Sequence, residues 1–141
     1  MTCIISLCEE ARNIYIYAML YYFKKYPQSV AVIIVIWVLC MIPVPETPLN
    51  EVNFIDKWTH FAMYGALTLV IWHEYRKRHT MTNWCRLIFG GVLCPIVMGV
   101  LVEVAQAYLT TCRSGDWFDA VCNTLGVLLG TGIAKLMIVR R

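Results

Sequence analysis

Four stretches of this chain are apolar over a length close to what a helix needs to cross a lipid bilayer, and nothing else in it restricts the fold so strongly. Residues 29–42, SVAVIIVIWVLCMI, carry no charge and are closed by PVPETP, whose prolines stop a helix and force extended chain. Residues 58–73, WTHFAMYGALTLVIWH, form a shorter run that needs its polar first turn to cross the hydrocarbon. Residues 87–110 and 117–139 supply a third and a fourth. At a rise of about 1.5 Å per residue, each of these last two covers a core of roughly 30 Å. Hydrophobic residues make up 60% of the 141 and charged residues 15%, a composition foreign to soluble domains. The expectation is an all-α membrane protein: one four-transmembrane-helix bundle over residues 29–141, preceded by an N-terminal amphipathic helix over 1–28.

Basic residues orient such a bundle, because loops rich in Lys and Arg stay on the cytoplasmic side. Lys24 and Lys25 precede the first run, while Arg76, Lys77, Arg78 and Arg86 surround the gap between the second and third. Lys135, Arg140 and Arg141 close the chain. The opposite loops are acidic or balanced, with Glu46, Glu51, Asp56 and Lys57 in one and Arg113, Asp116 and Asp119 in the other. Both termini are therefore expected in the cytoplasm. Trp58 and Trp117 fall at the outer interface and Trp72 and Trp84 at the inner one, the level amphipathic rings prefer. These basic residues are spread as topology requires, and no pattern points to nucleic acid.

Residues 3–25 repeat Ile4, Leu7, Ala11, Ile14, Ala18 and Tyr22 at helical spacing, with Glu9, Glu10, Arg12 and Asn13 on another side. This segment is expected to lie along the inner membrane surface. Its acidic pair and missing basic start argue against a cleaved signal peptide, and its charges against a fifth span. The seven cysteines include no C-x-x-C pair, and Cys3, Cys8, Cys40, Cys85, Cys94 and Cys122 sit in apolar stretches, where a thiol behaves as a small hydrophobe. Neither a metal site nor a disulfide framework is expected, and no cofactor. Cys112 alone falls at the outer rim.

The polar residues inside these runs all land in the outward half. Asp56, His60 and Tyr64 stand at i, i+4 and i+8 on one face of the second run. Glu103 and Gln106 adjoin on the third, and Asp119, Asn123, Gly126 and Gly130 form a stripe on the fourth. Some have plain structural readings. Asp116 and Asp56 can each cap a helix start, Gly126-x-x-x-Gly130 can be a packing surface, and Asn123 and Gln106 can be interhelical hydrogen-bond glue. Gly90, Gly91, Pro95 and Gly99 can kink or close-pack the third run. Glu103 lies roughly 10 Å below a helix end, where an ionisable group must be paired, neutral or open to water. Arg113 can hold a phosphate or carboxylate, or pair with Asp116 or Asp119. His60 is either a satisfied buried imidazole or an acid/base group.

DKWTHFAMYGAL at 56–67, E-x-x-Q at 103–106, Arg113, and D-x-x-D-x-x-x-N-x-x-G-x-x-x-G over 116–130 resemble the VanZ-like family, small bacterial membrane proteins named after a teicoplanin-resistance protein. The matched positions are Asp56, Lys57, His60, Phe61, Tyr64, Glu103, Gln106, Arg113, Asp116, Asp119, Asn123, Gly126 and Gly130, and with the hydropathy profile the likeness covers residues 30–140. The resemblance implies a multi-pass protein of the bacterial plasma membrane. In the founding case it implies low-level resistance to a glycopeptide, with no established catalytic mechanism.

Two functions of different class fit these residues. One is a non-catalytic envelope protein that binds a membrane lipid or a lipid-linked cell-wall intermediate through Asp56, Lys57, His60, Tyr64, Glu103, Gln106, Arg113, Asp116, Asp119 and Asn123. The other is an enzyme acting on a lipid-linked phosphate or carboxylate at the outer leaflet. In that enzyme Arg113 would hold the anion, Glu103 or Asp119 would act as general acid/base, and His60 would move a proton or attack. Transport is a third reading that needs protomers to assemble, since four spans enclose little room.

Overall fold

The structure, a computed structural model, describes residues 2–42, 55–110 and 116–139. The PVPETP stop, Cys112 and Arg113 lie outside the described residues. The described chain forms α1 (Thr2–Lys25), α2 (Pro27–Met41), α3 (Ile55–Arg78), α4 (Trp84–Ile88), a π-helical turn (Phe89–Leu93), α5 (Cys94–Leu109) and α6 (Trp117–Val139). No strand occurs among these residues.

Tyr26 separates α1 from α2 with φ −131° and ψ 58°, because the Pro27 ring crowds the residue before it out of the helical region. Pro27 itself suits a first helical turn, where an N–H would have no partner. Arg12–Lys25 and Pro27–Met41 consequently meet at 102°. In α1 the consecutive residues Ile14, Tyr15, Ile16 and Tyr17 are all exposed, and four successive positions point to every side of a helix. The side chains of Ile4, Leu7, Ala11 and Ala18 lie outside the description.

Each of the four apolar runs is helical, but the four-span expectation narrows. Trp84–Leu109 and Trp117–Met137 are long and apolar enough to cross a membrane, at 26 and 21 residues. With its 15 residues, α2 reaches about 22 Å. The 24-residue α3 carries Asp56 and Lys57 at one end and Glu74, Arg76, Lys77 and Arg78 at the other. Among the described residues, two helices are thus long and apolar enough to cross a membrane, or three if the bent pair α1–α2 counts as one.

The long helix of α4 and α5 stays continuous through its π-helical turn. Pro95 has no N–H to return to the carbonyl four residues back, and the Cys94 N–H reaches the Phe89 carbonyl, five back. Gly91 in this turn lies under the Trp72 indole, where a Cβ would come 2.6 Å from Nε1. Cys40, Cys85, Cys94 and Cys122 are free thiols.

The centre of the fold is the seam between α3 and α6, which pack more extensively than any other pair. Glycines make it possible: a Cβ on Gly126 would run into the Phe61 carbonyl, and one on Gly130 would lie 2.7 Å from the Gly65 oxygen. Ile36 and Cys40 of α2 and Val102 of α5 close over the seam against Tyr64, Leu67 and Val127. A second cluster, Trp72, Tyr75, Leu87 and Ala134, fills the other end. Away from these contacts, Val35 and Leu39 on α2, Val97 and Leu101 on α5, and Leu125 and Leu129 on α6 are exposed, an apolar surface suited to lipid.

Basic residues gather at one end. There Tyr26 stacks on His79 at 6.4 Å and His79 on Tyr75 at 4.2 Å, while the Lys135 ammonium lies over the Trp84 ring. The lone carboxylate among these residues, Glu74, is buried against the start of α2. It accepts the Ser29 N–H at 2.9 Å, the Ser29 hydroxyl at 2.8 Å and the Gln28 N–H at 3.3 Å, with Arg78 3.6 Å away. Tyr26 gives α2 no side-chain cap of its own, so Glu74 supplies one from another helix.

Candidate functional site

At the opposite end, the start of α3, the last turns of α5 and the start of α6 bring the expected polar residues into one layer. His60 is at its centre and is 1% exposed. Its Nδ1 lies 3.1 Å from the Asn123 Oδ1, and since a carbonyl oxygen only accepts, the proton sits on Nδ1. The Glu103 Oε1 lies 3.7 Å from the same nitrogen. Nε2 faces the Asp56 Oδ1 at 4.0 Å. Spacing on α3 aims this imidazole: Asp56, His60 and Tyr64 recur every four residues and share the face turned to α6.

Gly99 lets the layer close, because a Cβ there would lie 3.1 Å from Asn123 and 3.3 Å from Tyr64. Tyr64 and Asn123 are completely buried. Among the described residues the Tyr64 hydroxyl, the Asn123 Nδ2 and the Asp119 Oδ1 accept or donate no hydrogen bond. Buried polar atoms in a protein interior normally find partners; the Asp119 Oδ1 has the Lys57 ammonium 3.6 Å away, whereas the Tyr64 hydroxyl and the Asn123 Nδ2 have none among the described residues.

Asp116 and Lys57 form the rim. The Asp116 Oδ1 accepts the Phe118 N–H at 2.9 Å and its carbonyl the Ala120 N–H, the arrangement of a residue capping α6. Its Oδ2 lies 3.2 Å from the Lys57 ammonium, which is also 3.6 Å from the Asp119 Oδ1. The Phe118 N–H first, and then Lys57, hold the Asp116 carboxyl below the usual carboxylate range. The Asp116 N–H in turn donates to the Glu103 Oε2 at 3.2 Å, tying α5 to the head of α6.

Gln106 stands apart from the histidine. Its Nε2 donates to the Cys40 carbonyl at 2.9 Å, fastening α5 to the last turn of α2. Arg113 belongs to the segment outside the described residues. The remaining candidates, Asp56, Lys57, His60, Tyr64, Glu103, Asp116, Asp119 and Asn123, are gathered in and around the layer. Two contributors escaped the sequence reading: Gly65, whose carbonyl meets Gly130, and the Cys40 carbonyl, a backbone group that no side-chain pattern reveals.

Chemically, the layer sets one imidazole among carboxylates. No carboxylate touches His60 at proton-transfer distance, since 3.7 and 4.0 Å both exceed the roughly 3 Å such a step needs without an intervening water. Asp56, His60 and Asp119 each offer one ligand atom, and the three atoms lie within 4.8 Å of one another.

A family model described as VanZ/LLP1 matches residues 9–138. No curated protein and no solved structure matches the chain.

Proposed function

Since the chain belongs to the VanZ/LLP1 family, we propose that it is a multi-pass protein of the bacterial plasma membrane that binds a lipid or lipid-linked cell-wall intermediate. In this reading α2, α3, the α4–α5 helix and α6 all cross, α1 lies along the inner surface, and the polar layer faces outward. The observation that carries it is the convergence of His60, Glu103, Asp119 and Asn123, which lie on three separate helices and are all nine-tenths buried or more. Polar groups at such depth are costly in a membrane protein unless they work. The carboxylates with Lys57, and Arg113 from the adjoining segment, suit a headgroup that carries both an amine and an anionic group. Occupying such a precursor outside the membrane would shield it from a glycopeptide.

An enzyme acting on the same class of molecule is the second reading. Its support is His60, with a carboxylate near each ring nitrogen, an arrangement that one bridging water would turn into a proton relay.

Teicoplanin susceptibility tests the proposal in a sensitive Gram-positive host expressing wild type, Glu103→Gln, Asp119→Asn or Arg113→Ala, at membrane abundance matched by immunoblot and with vancomycin in parallel. Protection by wild type and its loss in equally abundant variants is the expected result. Protection that survives all three substitutions would remove the polar layer from the function, and no protection by wild type would remove the resistance role.

A further inference from the structure

At the basic end, a cavity of about 310 Å³ lies between α2, α3 and α6, at the lower end of the size range of small-ligand sites. Spacing on α3 builds one wall: Leu69, Trp72, His73 and Arg76 stand at i, i+3, i+4 and i+7 and share a face. Ala134 and Met137, one turn apart on α6, add a second, and Gln28 of α2 completes the lining. Trp72 and Ala134 are buried whereas Met137 is 61% exposed, so the cavity opens to the side where lipid lies around a spanning helix. Because α3 ends at Arg78, its wall grades from Leu69 inside the apolar run to Arg76 near the helix end, about 10 Å along the axis. An apolar trough with a cation at its outer end matches the gradient of a phospholipid.

Arg76 is half-buried, and its guanidinium has no ion pair or hydrogen bond among the described residues. Arg78 differs, being paired with Glu74. That carboxylate also accepts the Gln28 and Ser29 N–H groups and the Ser29 hydroxyl, so it is fully engaged. Lys77 and Arg78 already offset the dipole at the end of α3; what sets Arg76 apart is its place on the cavity. We infer that this cavity holds one acyl chain of an anionic phospholipid and that Arg76 binds the phosphate, with His73 beside it on the rim. A guanidinium matches two donors to two phosphate oxygens, and basic recesses between spanning helices are where anionic headgroups bind. A zwitterionic lipid would bring its amine among Arg76, Lys77 and Arg78, with Glu74 already taken, whereas a net-negative headgroup meets only attraction. The cavity lies at the opposite end of the fold from His60, so this inference stands or falls separately from the function proposed above.

The test uses the full chain purified in detergent, delipidated, and offered phosphatidylglycerol or phosphatidylcholine with the same acyl chains in mixed micelles. Salt at about 0.5 M shortens the Debye length to roughly 5 Å and suppresses diffuse attraction. Lipid retained after gel filtration is counted by native mass spectrometry. Wild type should keep about one phosphatidylglycerol per chain and hold phosphatidylcholine at least about 10-fold less well, the weight of one charge-assisted contact. Arg76→Gln should bring phosphatidylglycerol down to the phosphatidylcholine level. Val70→Phe, at another lining position, fills part of the apolar trough and should lower retention of both lipids. Lys77→Gln removes the same charge from the same helix end but not from the cavity, and should change neither. Equal retention of the two lipids by wild type overturns the inference, as does wild-type retention of phosphatidylglycerol by Arg76→Gln or by Val70→Phe. Equal losses in Lys77→Gln and Arg76→Gln would mean a diffuse basic surface and overturn it too. Because the comparison of the two lipids is read on wild type, a variant that misfolds does not spare the inference.

Discussion

Glu74 and Asp116 do related work at opposite ends of the molecule, each satisfying amides that a helix start leaves bare. Glu74 is the more exacting of the two, because it is buried and takes three donors from Gln28 and Ser29. Glu74→Ala should therefore cost about 1.5–3 kcal/mol, the range for a hydrogen bond to a charged group, with Ser29→Ala costing less, both read from thermal unfolding in detergent. Asp116 should reveal itself through pH. Its folded pKa lies below its unfolded one, so its contribution is complete above the unfolded value of about 3.9 and fades as pH falls through the lower folded value. The difference in unfolding temperature between wild type and Asp116→Asn should hold steady from about pH 8 to 5 and shrink below about pH 4. Legibility divides along the same line. His60, Glu103, Asp119 and Asn123 stand out in the sequence because polar groups in apolar runs are expensive. Glu74 does not, since it precedes Arg76, Lys77 and Arg78, where a carboxylate looks like ordinary loop charge, and its partners are amides some 45 residues away.

Between elements, the seam of α3 and α6 rests on backbone approach, so its glycines are unequal. Gly126 and Gly130 press on carbonyls of α3, whereas Gly132 has nothing within 4 Å of where a Cβ would be. Gly126→Ala should force the helices apart, costing about 1–3 kcal/mol as an overpacked contact. Gly132→Ala should cost nothing and could gain up to about 1 kcal/mol in helix propensity. Equal unfolding temperatures for the two variants would mean that the seam is looser than drawn. The Gly126-x-x-x-Gly130 spacing announces a packing face, but not which helix it meets; that depends on the rotation of α3, which brings Phe61 and Gly65 to the seam. The π-helical turn at Phe89–Leu93 was equally hidden, since Gly90, Gly91 and Pro95 are compatible with a kink, a close contact or both, and the chain uses them to seat Trp72.

At the scale of the whole molecule the two ends differ in charge, and that difference bears on how many helices cross. Lys25, Arg78, Arg86 and Lys135 come together through the Tyr26–His79 stack, the Glu74–Arg78 pair and the Lys135–Trp84 contact. Asp56, Lys57, Asp116 and Asp119 come together at the other end. In a membrane the basic end belongs to the cytoplasm. In the four-crossing topology proposed above, α2 and α3 cross as well as the two helices that are long and apolar enough alone, although α2 has only 15 residues. A short span is accommodated by local thinning of the bilayer or by flanking side chains that reach the interface. Phosphatase fusions, active only outside the cytoplasm, decide the matter when placed after Lys25, within 43–54, after Thr80, within 111–115 and after Arg141. Activity at 43–54 and 111–115 alone is the outcome expected of four crossings. If 43–54 is silent while 111–115 is active, α2 and α3 do not cross. The polar layer would then sit where only one face of the α3–α6 seam meets lipid, and a headgroup could not reach His60 from outside by the path proposed.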